Sequence, residues 1–310
     1  MIATAVVLWV VLAAAVAFAW YVRYVEPSRF EVTHTDLCLA DLPPALDGLT
    51  ITHLSDFHCQ PTRGSEAGSR EAIGLARQLG SDLVVITGDL LDGYDLMDDS
   101  AWQLEGLSAP LGVWAALGNH DHYCFYATPL GQSPHPPVQQ MKAALAERGI
   151  GVLSNEARLI RVDGATLALV GVDDAASGND DMRTALDGVA DADLVLVLSH
   201  SPDIFDDPEA GRADAILCGH THGGQLRLPG IGSPWAPVWR DRRRSSGLMR
   251  AGGPLCYVNR GVASATQARL NCRPEVAVLT LRRAAAQDVR EVPVRRPARR
   301  TEQLTEEVAT

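Results

Sequence analysis

The stretch that decides the fold is Asp82-Leu-Val-Val-Ile-Thr-Gly-Asp-Leu-Leu-Asp92, a continuous apolar run that stops abruptly at Gly88-Asp89. Such a run is typical of a strand that is buried on both faces of a sheet. An acid at its end lies where open α/β sheets form their ligand crevices. We therefore expect Asp89 to belong to a functional site at the carboxyl edge of a sheet.

Four further apolar runs end in the same way, in oxygen or imidazole side chains. They are Leu49–Ser55 before Asp56-Phe57-His58, Gly112–Leu117 before Gly118-Asn119-His120-Asp121, Leu194–Leu198 before Ser199-His200, and Ala213–Cys218 before Gly219-His220-Thr221-His222. The carboxyl ends of parallel strands meet at one edge, so we expect these side chains to converge. Together the endings predict a polynuclear metal site.

The residue types fit the chemistry of such a site. Divalent metals at hydrolytic centres take imidazole nitrogen and carboxylate or amide oxygen, and two ions roughly 3.5–4 Å apart need a shared ligand. We predict that Asp89 is that ligand. Asp56 and His58 are two residues apart, as are His220 and His222, so on an extended chain each pair points to one side.

The neighbouring residues support the same interpretation. Asn119 offers a neutral carbonyl oxygen, which limits the negative charge that the site accumulates. Gly88, Gly118 and Gly219 are expected to let the backbone turn sharply beside the ions.

The motifs Asp-x-His, Gly-Asp-x-x-Asp, Gly-Asn-His-Asp, a lone His and Gly-His-Thr-His, in that order, resemble the calcineurin-like metallophosphoesterase family. The resemblance covers about residues 49–283. It is closest to the membrane-anchored bacterial branch, through Gly-His-Thr-His-Gly-Gly-Gln-Leu-Arg-Leu-Pro at 219–229 and Tyr-Val-Asn-Arg-Gly at 257–261. It implies an α/β fold of two mixed β-sheets sandwiched between helical layers, and hydrolysis of a phosphoester by water that two divalent ions activate.

The resemblance also implies a role for each motif residue. One ion would be held by Asp56, His58, Asp89 and His222, and the second by Asp89, Asn119, His200 and His220. His120 would stabilise or protonate the leaving oxygen, and Asp92 would orient His120. One departure is Gly93, which stands where the family commonly has an Arg that clamps phosphate.

The identity of the ions is left open among manganese, iron and zinc, because availability as well as ligand type decides between them. We expect manganese to restore activity best. The chain lacks the motifs of serine hydrolases, P-loop proteins and dinucleotide-binding proteins. A non-catalytic scaffold is the rival class, but it should lack ligands or the leaving-group His, and here every position is filled.

Residues 1–22 carry no charged side chain and are long enough, at 1.5 Å per residue, to cross a bilayer as a helix. We predict an uncleaved transmembrane anchor over residues 1–25, with Trp20, Tyr21 and Tyr24 at the interface. A cleaved signal is the alternative, because Ala17-Phe18-Ala19 resembles a cleavage site, although no basic region precedes it. Arg23 and Arg29 follow the helix, which predicts a single-pass cell-membrane protein with a cytoplasmic catalytic domain.

The remainder of the chain is predicted to form a linker over 26–48, one large domain over 49–283 and a disordered tail over 284–310. The net charge of −11 argues against a nucleic-acid partner. The oligomeric state is left open. Further helices are expected near 66–79, 99–106, 137–148 and 203–210, and further strands at Thr166–Val172, Pro254–Val258 and Glu275–Leu281.

One Pro- and Gly-rich loop, Leu228–Trp239, follows the last ligands directly and lies among Arg residues. Its Trp235 and Trp239 could dip into lipid headgroups, or they could pack on the domain itself. His122 has two similar alternatives, as a residue of the substrate cleft or as a cap of its loop. The anchor and this loop favour a phosphodiester or pyrophosphate of a membrane lipid as substrate, with a tethered phosphodiesterase of broad specificity as the alternative.

Overall fold

The computed structural model describes residues 2–59, 63–91, 102–124, 133–134, 138–238, 241–263, 268–284, 290–292 and 294. Its helices are α1 Ile2–Trp20, α2 Arg63–Leu79, α3 Asn119–His122, α4 Val138–Ala146 and α5 Met182–Ala185. Its strands are β1 Glu31–Leu39, β2 Thr50–Leu54, β3 Leu83–Thr87, β4 Val113–Ala116, β5 Tyr123–Cys124, β6 Ser133–Pro134, β7 Ile150–Val152, β8 Glu156–Val162, β9 Ala165–Gly171, β10 Leu194–Leu198, β11 Ala215–Cys218, β12 Gly247–Arg250, β13 Leu255–Val258 and β14 Glu275–Arg283.

The strands form two six-stranded sheets and one short ribbon. The first sheet has the order β1-β14-β2-β3-β4-β7, the second has the order β12-β13-β11-β10-β9-β8, and β5 pairs with β6. Both large sheets are mixed: β2, β3, β4 and β7 run parallel to one another, as do β9, β10, β11 and β13, while β14 is antiparallel to β2 and β8 is antiparallel to β9. The predicted fold class is therefore confirmed.

The central strands are buried on both faces, as their unbroken apolar sequence predicts. In β3, Leu83 and Val85 face the core between the sheets, whereas Val84 and Ile86 pack under α2 and α4. In β10 the alternate leucines face the same inner core, and the alternate valines pack against a layer that includes Met182 of α5. Because side chains alternate along a strand, each sheet joins the inner core to an outer one.

The predicted boundary at residue 49 differs from the structure. The segment predicted as a linker contains β1, which pairs in parallel with β14 along its whole length, from Glu31 opposite Glu275 to Leu39 opposite Arg283. Its side chains are mostly half-buried or exposed, because β1 is an edge strand, so it lacks the continuous apolar run that identifies the central strands.

Two other expectations also differ from the structure. Residues 203–210, predicted as a helix, form a 3₁₀ segment over Pro202–Asp206 and a second 3₁₀ turn that begins at Ala210. Within the predicted disordered tail, Arg290 and Val292 hydrogen-bond to Arg250 of β12, and Val292 is buried. Most of the rest of that tail lies outside the described residues.

Within the described chain, one helical segment is long and apolar enough to cross a membrane, Ile2–Ser28, with a mean hydropathy of 2.6 and no buried residue in its most apolar window. Its carboxyl end is fastened to the domain. The backbone N–H of Arg269 donates to the carbonyl of Val22 (3.0 Å), and that of Cys272 donates to Oε1 of the buried Glu26 (3.1 Å). The carboxyl end of the apolar segment is therefore bound directly to the segment from Arg269 to Cys272, with no flexible spacer between the helix and the domain.

Candidate metal centre

The predicted ligands converge between the two sheets. The first sheet supplies the residues that follow β2, β3 and β4, and the second supplies those that follow β10 and β11. Three groups of side chains each place their ligand atoms within 4.8 Å of one another: Asp56, His58 and His222; Asp89, His200 and His220; and His58, Asp89 and His120. The sharing of Asp89 and His58 between groups makes one continuous cluster.

The backbone adopts a rare conformation at the candidate ligands. Asp56, His58, Asp89, His220 and His222 all have positive φ angles, between 46° and 66°. For residues other than glycine such angles cost of order 1–3 kcal/mol each and persist where function requires them. The chain therefore turns sharply after β2, β3 and β11, where these five residues lie.

In the first group, Nε2 of His222 lies 3.6 Å from Oδ1 of Asp56 and 3.3 Å from Nε2 of His58. Two imidazole nitrogens and a carboxylate oxygen therefore face one another with no side chain between them. In the second group, Nε2 of His200 lies 3.1 Å from Oδ2 of Asp89 and 3.0 Å from Nδ1 of His220. Oδ2 of Asp89 also lies 3.5 Å from Nε2 of His58, so this oxygen faces both groups.

The donor set fits a pair of divalent cations. Nδ1 of His200 lies 2.8 Å from the carbonyl of Thr87, and Nδ1 of His222 lies 3.0 Å from the carbonyl of Ala263. Donation from Nδ1 to a carbonyl leaves the Nε2 lone pair available to a metal, which is the usual outer arrangement of a ligating histidine. Oδ1 of Asn119 is buried and accepts no hydrogen bond from the described residues, as an amide oxygen reserved for a cation would.

The charges of the cluster hold its acids ionised. Burial alone would raise the pKa of Asp56, but the imidazoles of His222 and His200 lower it. Asp89 is equally buried, and His200 and His120 hold its pKa well below the usual range. Burial, assisted by the charge of His200, lowers the pKa of His220 to about 4. Two ionised, desolvated carboxylates beside a neutral imidazole make a site that attracts cations.

The glycines beside the ligands are needed mainly for space. Of Gly88, Gly118 and Gly219, only Gly88 has a positive φ, +82°. A Cβ on Gly118 would lie 2.3 Å from Oδ1 of Asp89, and a Cβ on Gly219 would lie 1.7 Å from Oγ of Ser55. For Gly118 and Gly219 the expectation of a sharp backbone turn is therefore replaced by a need for close approach between strand ends.

The sequence interpretation missed Asp121, the last residue of Gly-Asn-His-Asp. Its Oδ1 accepts from the backbone N–H groups of Leu90 and Leu91 (2.9 and 3.0 Å), and its Oδ2 accepts from Gly118 (2.8 Å). Asp121 thereby fixes the loop after β3 to the loop after β4. Burial raises its pKa to about 6, with a further contribution from Asp89.

A sixth strand end was also missed. Strand β9 is followed by Asp173, whose Oδ1 lies 2.6 Å from Nε2 of His122 and whose Oδ2 accepts from Oγ of Ser154 (2.5 Å). The signal was present, because the apolar run Thr166–Val172 ends in Asp173-Asp174 as the other runs end in their ligands. The carboxylate ties His122 to the second sheet.

Of the remaining predicted residues, the structure describes His120 and Trp235. The backbone N–H of His120 donates to Oδ1 of Asp89 (2.9 Å), and its ring meets that of His58 edge-on at 4.6 Å. Asp92 and Trp239 lie outside the described residues. The side chain of Trp235 is 65% exposed. It therefore faces outward, as a contact with lipid headgroups requires, and is not packed into the domain.

Residues 49–224 match the family model described as calcineurin-like phosphoesterase. The chain is 35% identical to "Phosphodiesterase YaeI" of Escherichia coli over 84% of this chain and 92% of that protein, and 29% identical to "Uncharacterized metallophosphoesterase YkuE" of Bacillus subtilis over 84% and 89%. It is 24% identical to "UDP-2,3-diacylglucosamine pyrophosphatase LpxG" of Chlamydia muridarum over 86% of this chain and 94% of that one.

Proposed function

Because the chain belongs to the calcineurin-like phosphoesterase family and is a hydrolase of that family, we propose that it cleaves a phosphodiester, pyrophosphate or phosphomonoester bond of a membrane-lipid-related substrate. The observation that supports hydrolysis is the convergence of histidine and aspartate side chains on Asp89, which belongs to two of the candidate ligand groups. The lipid-related part rests on the apolar helix and its attachment beside the site.

We assign one cation to Asp56, His58, Asp89 and His222, and the second to Asp89, Asn119, His200 and His220, with manganese favoured over iron and zinc. When bound, such ions supply the positive charge that lowers the pKa of water toward ~7 and offsets the charge of the phosphoryl oxygens. The outer contacts of His200 and His222 keep each imidazole in the tautomer that leaves Nε2 unprotonated.

His120 is proposed to donate a proton, or a hydrogen bond, to the leaving oxygen. Its backbone is held by Asp89 while its ring lies against that of His58, and the side chain is half-exposed and so open to substrate. Asp92 is proposed to orient His120. Because Gly93 cannot clamp phosphate, either another cation does so or the substrate differs from the one that the Arg of the family binds.

The proposed substrate class rests on a short path from the apolar helix to the cluster. Arg269 receives the end of the helix through its backbone, and its guanidinium Nη2 donates to the carbonyl of Ala263 (2.6 Å), the same carbonyl that lies 3.0 Å from Nδ1 of His222. Two residues, Arg269 and Ala263, thus separate the apolar segment from the candidate ligand His222. A relative named as a pyrophosphatase of UDP-2,3-diacylglucosamine supports a lipid-linked pyrophosphate as the first compound to test.

The test is a substrate screen with the full chain in lipid nanodiscs, loaded in turn with manganese, iron and zinc. We expect faster hydrolysis of nucleotide-lipid pyrophosphates and lipid phosphodiesters than of an aryl phosphodiester in solution, with manganese giving the highest rate. Asp89→Asn serves as the inactive control. Equal rates on lipid and soluble compounds would favour the second candidate, a broad phosphodiesterase whose anchor only sets its location, for which the relative named as a phosphodiesterase is the supporting observation.

The proposed orientation places the domain in the cytoplasm, on the basis of Arg23 and Arg29 after the apolar segment. Protease added to intact spheroplasts should leave the domain uncut and should cut it after lysis. Cleavage before lysis would place the domain on the other side of the membrane.

A further inference from the structure

A basic cavity lies outside the candidate metal centre. It has a volume of about 320 Å³ and is lined by four arginines, one acid and small or apolar residues: Arg227, Arg242, Arg243, Arg290, Asp241, Ile231, Gly232, Ser233 and Ser245. Four guanidinium groups against one carboxylate leave an excess of positive charge. Burial, with the charges of Arg227 and Arg243, lowers the pKa of Arg290. The cavity is therefore a place where an anion would relieve repulsion among cations.

The guanidinium groups are held mainly by neutral groups. Nη1 of Arg242 donates to the carbonyl of Pro234 (2.6 Å), and Nη1 of Arg227 donates to Oγ of Ser246 (2.6 Å). Nη2 of Arg290 donates to the carbonyls of Arg243 and Ser246. Arg243 is the member that pairs with Asp241 (2.7 Å). Carbonyl and hydroxyl acceptors position these side chains without cancelling their charge, and a guanidinium fork matches the oxygens of phosphate.

The loop that borders the cavity carries exposed apolar side chains. Ile231 is 70% exposed and Trp235 is 65% exposed, and both belong to the loop that also contributes Gly232 and Ser233 to the cavity wall. Leu228 of the same loop and Leu226, which precedes the loop, are also exposed. Aromatic and aliphatic side chains next to arginines are the composition of surfaces that enter the headgroup region of a bilayer.

The position of this loop relative to the apolar helix identifies the partner. Leu270, next to the residue that receives the end of that helix, donates its N–H to Gln225 and accepts from Arg227 at its carbonyl (2.9 Å each). Nδ2 of Asn271 donates to the carbonyl of Arg227 (3.0 Å). The loop is thus fastened to the same stretch of chain as the helix end, so a bilayer that contains the helix has its surface beside the loop.

We propose that this cavity binds the phosphate of an anionic phospholipid headgroup and that Ile231 and Trp235 enter the interfacial region of the same leaflet. The loop is then a second membrane contact beside the helix. Two contacts fix the tilt of the domain, whereas one helix leaves it able to rotate about its axis. Binding at this cavity does not depend on the metal ions or on catalysis.

The test uses the full chain in nanodiscs of equal parts phosphatidylcholine and phosphatidylglycerol. A photoreactive phenylalanine analogue replaces Ile231 in one protein and Leu159, an exposed residue of β8 at the far edge of the second sheet, in the other. We expect roughly tenfold more lipid adduct at position 231 than at 159, since only the loop meets the interface. We also expect phosphatidylglycerol to be enriched over phosphatidylcholine in the adduct at 231.

Arg242→Gln with Arg243→Gln should remove that enrichment, because the double change takes two of the four positive charges from the cavity. Both side chains are exposed, so the change should leave the fold intact. Arg183→Gln with Arg212→Gln is the matched control, since these two arginines are also exposed and lie outside the cavity, where both pair with Glu209. Arg290→Gln provides a second cavity variant should the first lower the melting temperature. Equal adduct at 231 and 159, or an enrichment that both cavity variants retain, would overturn the proposal.

Discussion

The two sheets contribute different chemistry to the candidate centre. The strand ends of the first sheet supply both carboxylates and the amide, together with two histidines: Asp56, His58, Asp89, Asn119 and His120. The strand ends of the second sheet supply imidazoles alone to this set: His200, His220 and His222. The group of Asp56, His58 and His222 and the group of Asp89, His200 and His220 each take ligands from both sheets, so these two groups form only where the sheets pack together.

The difference has an electrostatic consequence. The negative charge is concentrated on Asp56 and Asp89, while the second sheet adds imidazole nitrogens and no carboxylate to the ligand set. An ion bound here would connect the sheets as well as serve catalysis. We expect the carboxylate of Asp89 to contribute most to this connection, because Asp89 follows a strand of the first sheet and contacts His200 of the second.

The largest effect is expected at that residue. Asp89→Asn removes the charge that faces both groups of ligands, so we expect loss of bound metal and of phosphoesterase activity together. Elemental analysis and turnover would be measured on the same preparation. Asp82→Asn is the matched control, because Asp82 precedes the same strand at its opposite end, where it accepts from Thr50. Normal metal content in Asp89→Asn would contradict the assignment of a shared ligand.

His120 tests whether the first sheet also supplies a group that acts on substrate. His120→Asn should keep its metals and lose turnover by ~10²-fold or more, as loss of a general acid does. His34→Asn, a change at an exposed residue of β1, should leave turnover unaltered. Near-normal turnover in a metal-replete His120→Asn protein would refute the proposed role.

Metal removal tests the connection between the sheets. A ligand present at about 100 times its Kd stabilises a fold by about 2.7 kcal/mol. Chelation should therefore lower Tm by several degrees, with recovery when manganese is returned, as followed by differential scanning fluorimetry. Asp89→Asn should show little response to the chelator. If the parent protein keeps its Tm after elemental analysis shows that the metal has been removed, the metal does not connect the sheets.

A smaller effect is expected from a buried histidine of the first sheet that lies outside the ligand set. Burial lowers the pKa of His53 to about 4, while Nε2 contacts Oγ1 of Thr87 (2.9 Å). This pKa lies below the ordinary value near 6.5, so the unfolded chain takes up a proton at His53 at a higher pH than the folded protein does. The free energy of unfolding is therefore unaffected by His53 above pH 6.5 and decreases as the pH falls from 6.5 toward 4. Acidification from pH 7 to pH 5 should cost the parent roughly 2 kcal/mol through this group alone.

His53→Gln cannot titrate, so its free energy of unfolding should fall less over that range. Urea denaturation at pH 7 and pH 5 measures the difference, and the exposed His34→Gln provides the control. Parallel pH profiles for His53→Gln and the parent would show that His53 does not titrate in this window.

The sequence alone determined the central strands and the residues at their ends. An apolar run that is buried on both faces and stops at Asp, Asn or His is a local signal, and it located Asp89 and each motif that converges here. The amphipathic edge strands β1 and β8 were not predicted, because their faces are half-solvated and carry no such run. Strand β1 forms only through pairing with β14, more than two hundred residues away.

Only the tertiary structure decided how these pieces meet. The three hydrogen bonds of Asp121, the contacts of Arg269 with both the helix end and Ala263, and the gathering of arginines at the loop after His222 each join residues distant in sequence. A sequence pattern reports which faces a local segment buries. It does not report which buried backbone groups a distant side chain will satisfy, because that depends on how two sheets pack, and most strand pairings in these sheets join segments that are distant in sequence.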